Sequence, residues 1–243
     1  LVYRIRNQEN RALGVLNNLE NIDPTNAFMI HERDLLEGTQ NLPLLLTNEL
    51  AQESYIELAL SYYRLNRTEE AIALFQQIPE HPIANLWLAR LIPDQQSTYL
   101  EMALKQDPAL VFPYRTETAL MLDELMASHK HWKLNYYRAL IYWHKGKTAE
   151  ARKLFLACQG EPDFAPFYLA KAKLFEAHPD MQFSSLQSAF KLAADDWRTN
   201  LAFAKKLFAE RDFDNILPIG ERFANQSPAI ALLYARALVH TNQ

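Results

Sequence analysis

Four pairs of nearby carboxylates, Glu69-Glu70, Asp123-Glu124, Asp195-Asp196 and Asp212 with Asp214, have the spacing that could support general acid–base work. Turns and first helical turns also favour acidic side chains through capping and the helix dipole, and that structural reading is preferred for all four. His129 and His131 flank Lys130. Two imidazoles two residues apart could touch one metal ion, yet no third ligand is suggested, so a solvated linker is preferred. Cys158 has no second cysteine to pair with, and at a helix-packing position it reads as a small buried hydrophobe. The chain has no His-Glu-x-x-His, no Gly-x-Ser-x-Gly, no Gly-rich loop ending in Gly-Lys-Ser/Thr and no cysteine pair for zinc. The expectation is a chain without catalytic residues, metal or cofactor.

The elements that must position these residues are constrained by composition. With 49% hydrophobic and 22% charged residues over 243 positions, the chain has enough apolar side chains for a core and falls within one to two domains. Five glycines and twelve prolines leave little from which to build tight β-turns, which argues against an all-β architecture. A balance of 25 basic against 29 acidic side chains, net −4, offers no field to attract nucleic acid. The longest apolar run, around Leu42 to Leu46, falls far short of the roughly 18 to 20 residues that span a bilayer, so no membrane partner is expected either. The compartment is not legible.

Apolar residues recur at helical spacing in segments separated by short polar turns. Tyr55 to Arg64, the turn Asn66-Arg67-Thr68 and Glu69 to Ile78 predict one helical hairpin. Leu134 to Lys145, Gly146-Lys147-Thr148 and Ala149 to Cys158 predict another. Ala59 with Tyr62 precedes Ala71 with Phe75, and Ala139 with Tyr142 precedes Ala151 with Phe155, so both alanine pairs are twelve residues apart. Antiparallel helices approach closely only where each turns a small residue to the other and a ring fills the space beside that contact.

These residues resemble the tetratricopeptide repeat (TPR), a 34-residue helical hairpin. Further first-helix small residues are read at Ala84, Ala170, Ala204 and Ala235, and second-helix ends at Asp23-Pro24, Asp107-Pro108 and Ser227-Pro228. Spacings of 31 as well as 34 make the repeats degenerate. The resemblance implies an all-α fold, an α-α superhelix of roughly six to seven antiparallel hairpins. Two irregular segments interrupt it, near 38–49 and 109–115. The second displays Phe112, Tyr114 and Arg115; a packed crossover is the preferred reading and a ligand-lining segment the alternative.

On this phase the chain starts inside a first helix, near Tyr3, and ends after one, at Thr241-Asn242-Gln243. Leu232, Leu233, Leu238 and Val239 do not make the polar face of a terminal repeat. Residues 1–243 are therefore read as a single repeat domain cut from a longer protein, whose uncapped ends invite self-association. The stretches from His131-Trp132-Lys133 through Ala149-Glu150-Ala151-Arg152, from Glu161 to Ala170, and Asp195-Asp196-Trp197-Arg198-Thr199 look like the C-terminal repeat array of a poorly characterised bacterial family. Its members carry an N-terminal β-sandwich similar to galactose mutarotases. That resemblance implies that any carbohydrate chemistry sits outside these helices.

Residues one and four past the small first-helix positions line the concave groove of such arrays. They select Leu60, Tyr63 and Arg64; Leu140, Trp143 and His144; Lys171, Leu174 and Phe175; Lys205 and Phe208; and Arg236. Lys171, Lys205 and Arg236 would then form a ladder of charge able to hold an acidic partner. The expected function is a non-catalytic interaction scaffold whose groove binds a protein segment or the protein's own N-terminal domain. The alternative is a helical carbohydrate-active enzyme, or an accessory helical region of one, with paired carboxylates in a funnel. The Lys and Asn combination that chaperone-tail binders of the family use is not found.

Overall fold

The computed structural model describes residues 1–47, 50–158 and 162–241, and among them there is no strand. Residues 48 and 49 of the first break, residue 161 of the Glu161–Ala170 stretch, and Asn242-Gln243 lie outside the described residues. The chain is all-α and divides into two compact units, Leu1–Gln106 and Asp107–Gln243.

The first unit comprises α1 (Val2–Ile5), α2 (Glu9–Ile22), α3 (Ala27–Glu37), α4 (Leu42–Leu45), α5 (Ala51–Arg64), α6 (Thr68–Phe75), α7 (Pro82–Leu91) and α8 (Gln96–Lys105). Pairs α5–α6 and α7–α8 are tight hairpins, and α6 also packs on α7. Ala59, Ala71, Tyr62 and Phe75 are all fully buried, so the small-residue contact with flanking rings forms as the spacing predicts. Phe75 stacks on Trp87 at 5.9 Å and carries the core into α7. Glu32 on α3 is buried among these rings. Its carboxylate accepts from the Arg4 guanidinium at 2.9 and 3.1 Å and from the Tyr62 hydroxyl at 2.6 Å, and Arg4 and Arg67 also reach Glu70.

The break after α3 has its own hydrogen-bond logic. Gly38 takes φ 68°, a left-handed conformation that ends α3. Asp34 then accepts from the Thr39 hydroxyl at 2.6 Å and from the backbone N–H of Asn41 and Leu42 at 2.9 Å each, which ties the non-helical stretch down and starts α4.

The second unit comprises α9 (Thr116–Met126), α10 (Trp132–His144), α11 (Thr148–Leu156), α12 (Ala165–Leu174), α13 (Pro179–Leu192), α14 (Trp197–Ala209), α15 (Leu217–Phe223) and α16 (Pro228–His240). Ala139 and Ala151 are fully buried between α10 and α11, beside Phe155. Tyr136, Phe155 and Phe167 meet at 5.2 to 5.9 Å and join α10, α11 and α12. Gly220 on α15 lies so close to Tyr234 of α16 that a Cβ would collide with that side chain. Toward the end of α16, Leu232 and Val239 are exposed while Leu233 and Leu238 are half-buried.

The expected phase needs correction in this unit. Ala172, not Ala170, is the buried small residue of α12, and Ala237, not Ala235, that of α16. Ala139, Ala172 and Ala204 are each the eighth residue of their helix. Ala237 is instead the tenth residue of α16, so neither a fixed repeat length nor a fixed count from the helix start gives the register throughout, because helices and connections both vary in length.

Candidate functional site

Two hollows on the Asp107–Gln243 unit share α12 as their common wall. The first, about 550 Å³, is lined by Phe112, Pro113 and Tyr114, by Tyr136, Leu140, Trp143 and His144 of α10, and by Pro166 and Ala170 of α12. Residues 136, 140 and 143 fall on one face of α10 because they are four and three apart. The opposing wall is the irregular segment, which runs extended and therefore alternates its side chains. Val111, Pro113 and Arg115 point inward and are buried, whereas Phe112, 65% exposed, and Tyr114 face outward. Tyr114 meets the His144 ring edge at 5.7 Å, which closes the hollow at one side. Burial pushes the Tyr136 phenol up from its ordinary pKa, so it stays a neutral wall of the hollow.

The second hollow, about 660 Å³, lies between α12, α13 and α14 and is lined by Leu169, Ala172, Lys173, Glu176, Gln182, Leu186, Arg198, Leu201, Ala202, Lys205, Lys206 and Ala209. Four cations therefore surround an apolar floor with one acid among them. Lys173 pairs with Glu176 at 2.6 Å, Lys206 with Glu210 at 2.9 Å and Arg198 with Asp196 at 3.7 Å. Lys205 is exposed and forms no ion pair with any described residue.

Of the residues singled out in the sequence, Phe112, Tyr114, Trp143 and His144 come together in the first hollow and Lys205 lines the second. Arg115 lines neither of these hollows: it is buried, with its guanidinium 4.3 Å from the Tyr114 ring centre, because it falls on the inward side of the extended run. Phe175 is also buried, beneath Arg152 at 5.7 Å, and Lys171 is half-buried within electrostatic reach of Cys158. Lys173 and Glu176 of α12 line the second hollow, whereas Lys171 and Phe175 line neither of the two. Tyr63 packs on Trp87 at 5.0 Å, Leu60 is fully buried, and Arg64 is exposed, all on the first unit. Phe208 is half-buried against Phe213 at 5.4 Å, and Arg236 is exposed on α16. Lys173, Lys206, Arg198 and Pro166 were not among the expected groove residues; Lys173 directly follows Ala172, the alanine that is buried in place of Ala170.

Several of the groups that could do chemistry have structural work. Asp196 caps α14 by accepting from the N–H of Thr199 at 3.2 Å, Asp195 pairs with Arg222, Asp212 accepts from Asn215 at 2.8 Å, and Glu70 is held by Arg4 and Arg67. His131 caps α10, its Nδ1 accepting from the N–H of Lys133 at 3.2 Å. His129 Nδ1 lies 2.9 Å from the Ser128 hydroxyl, and no group of three metal-binding side chains occurs among the described residues. The Cys158 thiol donates to the Leu154 carbonyl at 3.3 Å and is pushed up to about 12 by burial, which Lys171 only partly offsets, so it is no nucleophile. No described helix is long and apolar enough to cross a membrane.

Comparison with known proteins bears on one hairpin directly. Residues 53–81, nearly all of α5 and α6, match the tetratricopeptide repeat family model. A comparison with curated proteins finds no match. Among solved structures, pilF of Pseudomonas aeruginosa is 16% identical, with 79% of this chain and 84% of that one covered and a TM-score of 0.46. TTC0263, a thermophilic TPR protein of Thermus thermophilus, is 21% identical over 77% of this chain and 99% of its own, with a TM-score of 0.39. The APC/C hetero-tetramer Cut9–Hcn1 is 13% identical over 95% and 46%, with a TM-score of 0.42. Likenesses at these scores say nothing about partners. The chain is an all-α succession of helical hairpins, one of which matches the tetratricopeptide repeat.

Proposed function

We propose that residues 1–243 form a non-catalytic interaction scaffold that holds a segment of protein against the second unit. The observation that carries this reading is the aromatic hollow: an extended run offers Phe112 and Tyr114 to the face of α10 that bears Leu140, Trp143 and His144. Exposed rings beside an apolar floor are the composition in which interfaces concentrate binding energy. The segment belongs to another chain or to a further domain of the same protein, such as the β-sandwich that the sequence resemblance implies. Of the carboxylates that an enzymatic reading would need, Asp196 caps α14, Asp195 and Glu70 are ion-paired and Asp212 accepts from Asn215.

Selection of a random peptide library displayed on phage tests the proposal. Peptides enriched on the wild-type protein should lose binding to Phe112→Ala and to Trp143→Ala and keep it toward Val239→Ala, a change at an exposed site away from the hollow. Enriched peptides that bind all three variants equally would overturn the assignment to this hollow.

A further inference from the structure

The two hollows differ in chemistry and adjoin along α12. Pro166 and Ala170 face the aromatic hollow, while Leu169 and Lys173 face the basic one. Helices in contact lie about 8 to 10 Å apart, so a chain crossing α12 from one hollow to the other needs about three extended residues. The basic hollow has a positive balance: Lys173, Arg198, Lys205 and Lys206 face Glu176, with Asp196 and Glu210 pairing from its edge. Lys205 lines it without an ion pair to any described residue, on a chain whose net charge is −4. A local positive site on an acidic molecule selects a negative ligand while the rest of the surface repels polyanions.

Building on the scaffold reading above, we infer that the occupant is an extended peptide with an apolar or aromatic anchor followed, about three residues later, by a run of acidic side chains. The anchor enters between Phe112 and Trp143, and the carboxylates lie over Lys205 and Lys173. Neither hollow supplies this specificity alone. The aromatic one accepts any apolar side chain, and exposed ion pairs are each worth only about 0 to 1 kcal/mol.

Three fluorescein-labelled peptides test it by anisotropy. One carries Leu-Trp, a three-residue Gly/Ser spacer and Asp-Glu-Asp; the second replaces the triplet by Asn-Gln-Asn; the third keeps the triplet and replaces Leu-Trp by Ser-Ser. The first should bind about tenfold more tightly than either other at low salt, the sum of two or three exposed charge pairs or of one anchor. High salt should narrow its advantage over the amide peptide, because exposed charges are screened. Lys173→Glu with Lys205→Glu, both at exposed positions, should abolish the preference for the acidic triplet and leave the amide peptide unaffected. Phe112→Ala, whose ring is largely exposed and whose loss spares the core, should weaken the first two peptides alike. Equal binding of the acidic and amide peptides, with both lost in Phe112→Ala, would overturn this inference and leave the scaffold reading standing. Binding of neither peptide, or binding indifferent to Phe112, would overturn both. A single-stranded RNA oligonucleotide bound more tightly than the acidic peptide, and lost with Lys205, would overturn it in favour of a nucleic-acid site.

Discussion

Glu32 shows what one side chain decides in this molecule. It is 1% exposed, and burial alone would raise its pKa. The hydrogen bonds from Arg4 and from Tyr62 outweigh burial and hold the carboxyl down to about 2. A folded-state pKa below the ordinary 4.5 means stability that is fully present above 4.5 and is lost as pH falls from there toward about 2. Asp34 and Glu70 are also lowered, the first by hydrogen bonds from Thr39, Asn41 and Leu42 and the second chiefly by Arg67, each against the opposing effect of burial, and both add to the same acid limb. Glu32→Gln should therefore flatten part of that limb in urea titrations at successive pH values. Glu32→Ala should cost about 3 to 5 kcal/mol at neutral pH, because it leaves Arg4 and Tyr62 without their shared acceptor. A wild-type limb unchanged in Glu32→Gln would show that the carboxylate contributes nothing to it.

At the scale of elements, the turns repeat a single device. After α1, α5, α10 and α14 the chain passes through Asn7, Asn66, Gly146 and Arg211, all at φ between 53° and 75°. In each turn the following N–H reaches back five residues to a carbonyl, as Arg67 does to Tyr62 at 2.9 Å and Lys147 to Tyr142 at 2.8 Å. Arg211 has a side chain in a conformation that favours glycine. Arg211→Gly should stabilise the protein by up to about 1 kcal/mol and Gly146→Ala should destabilise it by about 1 kcal/mol, both read from thermal melts. Similar changes at both sites would show that backbone strain is not what distinguishes them. Helix starts are less uniform. Asp196, Ser227 and Asn26 are ordinary caps, whereas α7 and α10 begin on His81 and His131, whose Nδ1 must stay unprotonated to accept. Burial and then Lys133 push the His131 pKa below its ordinary 6.5, against Asp163, so its contribution is present above 6.5 and lost as pH falls below it. His131→Asn keeps the acceptor without the titration and should reduce the loss of stability between about pH 7 and 5. The slope should not vanish, because burial lowers the His31 pKa too.

Within each unit the helices pack mainly on their sequence neighbours, so damage should stay local. Gly220→Ala drives a methyl group into Tyr234 and should cost about 1 to 3 kcal/mol, since a packed interface relaxes only partly. Hydrogen exchange should then accelerate in α14 to α16 and remain unchanged in α5 to α8. Faster exchange spread evenly through both units would show that the array unfolds as one body instead.

Helical periodicity, the paired alanines twelve apart and the scarcity of glycine determined the class of fold, because small facing residues and a 3.6-residue period are local properties of a chain. They also placed α5, α6, α10 and α11 and the irregular run at 109–115. The tertiary structure alone decided which residues of α12 line each hollow. Connections of unequal length shifted the phase by two residues, and α12 is apolar on several sides, so periodicity could not orient it. Arg115 illustrates the same limit: alternation along an extended segment says that 112 and 114 share a side with each other and not with 115, but only tertiary packing decides which side meets water. The asymmetry that makes one hollow aromatic and its neighbour basic arises from residues of four helices and the irregular run brought together, which no single stretch of sequence contains.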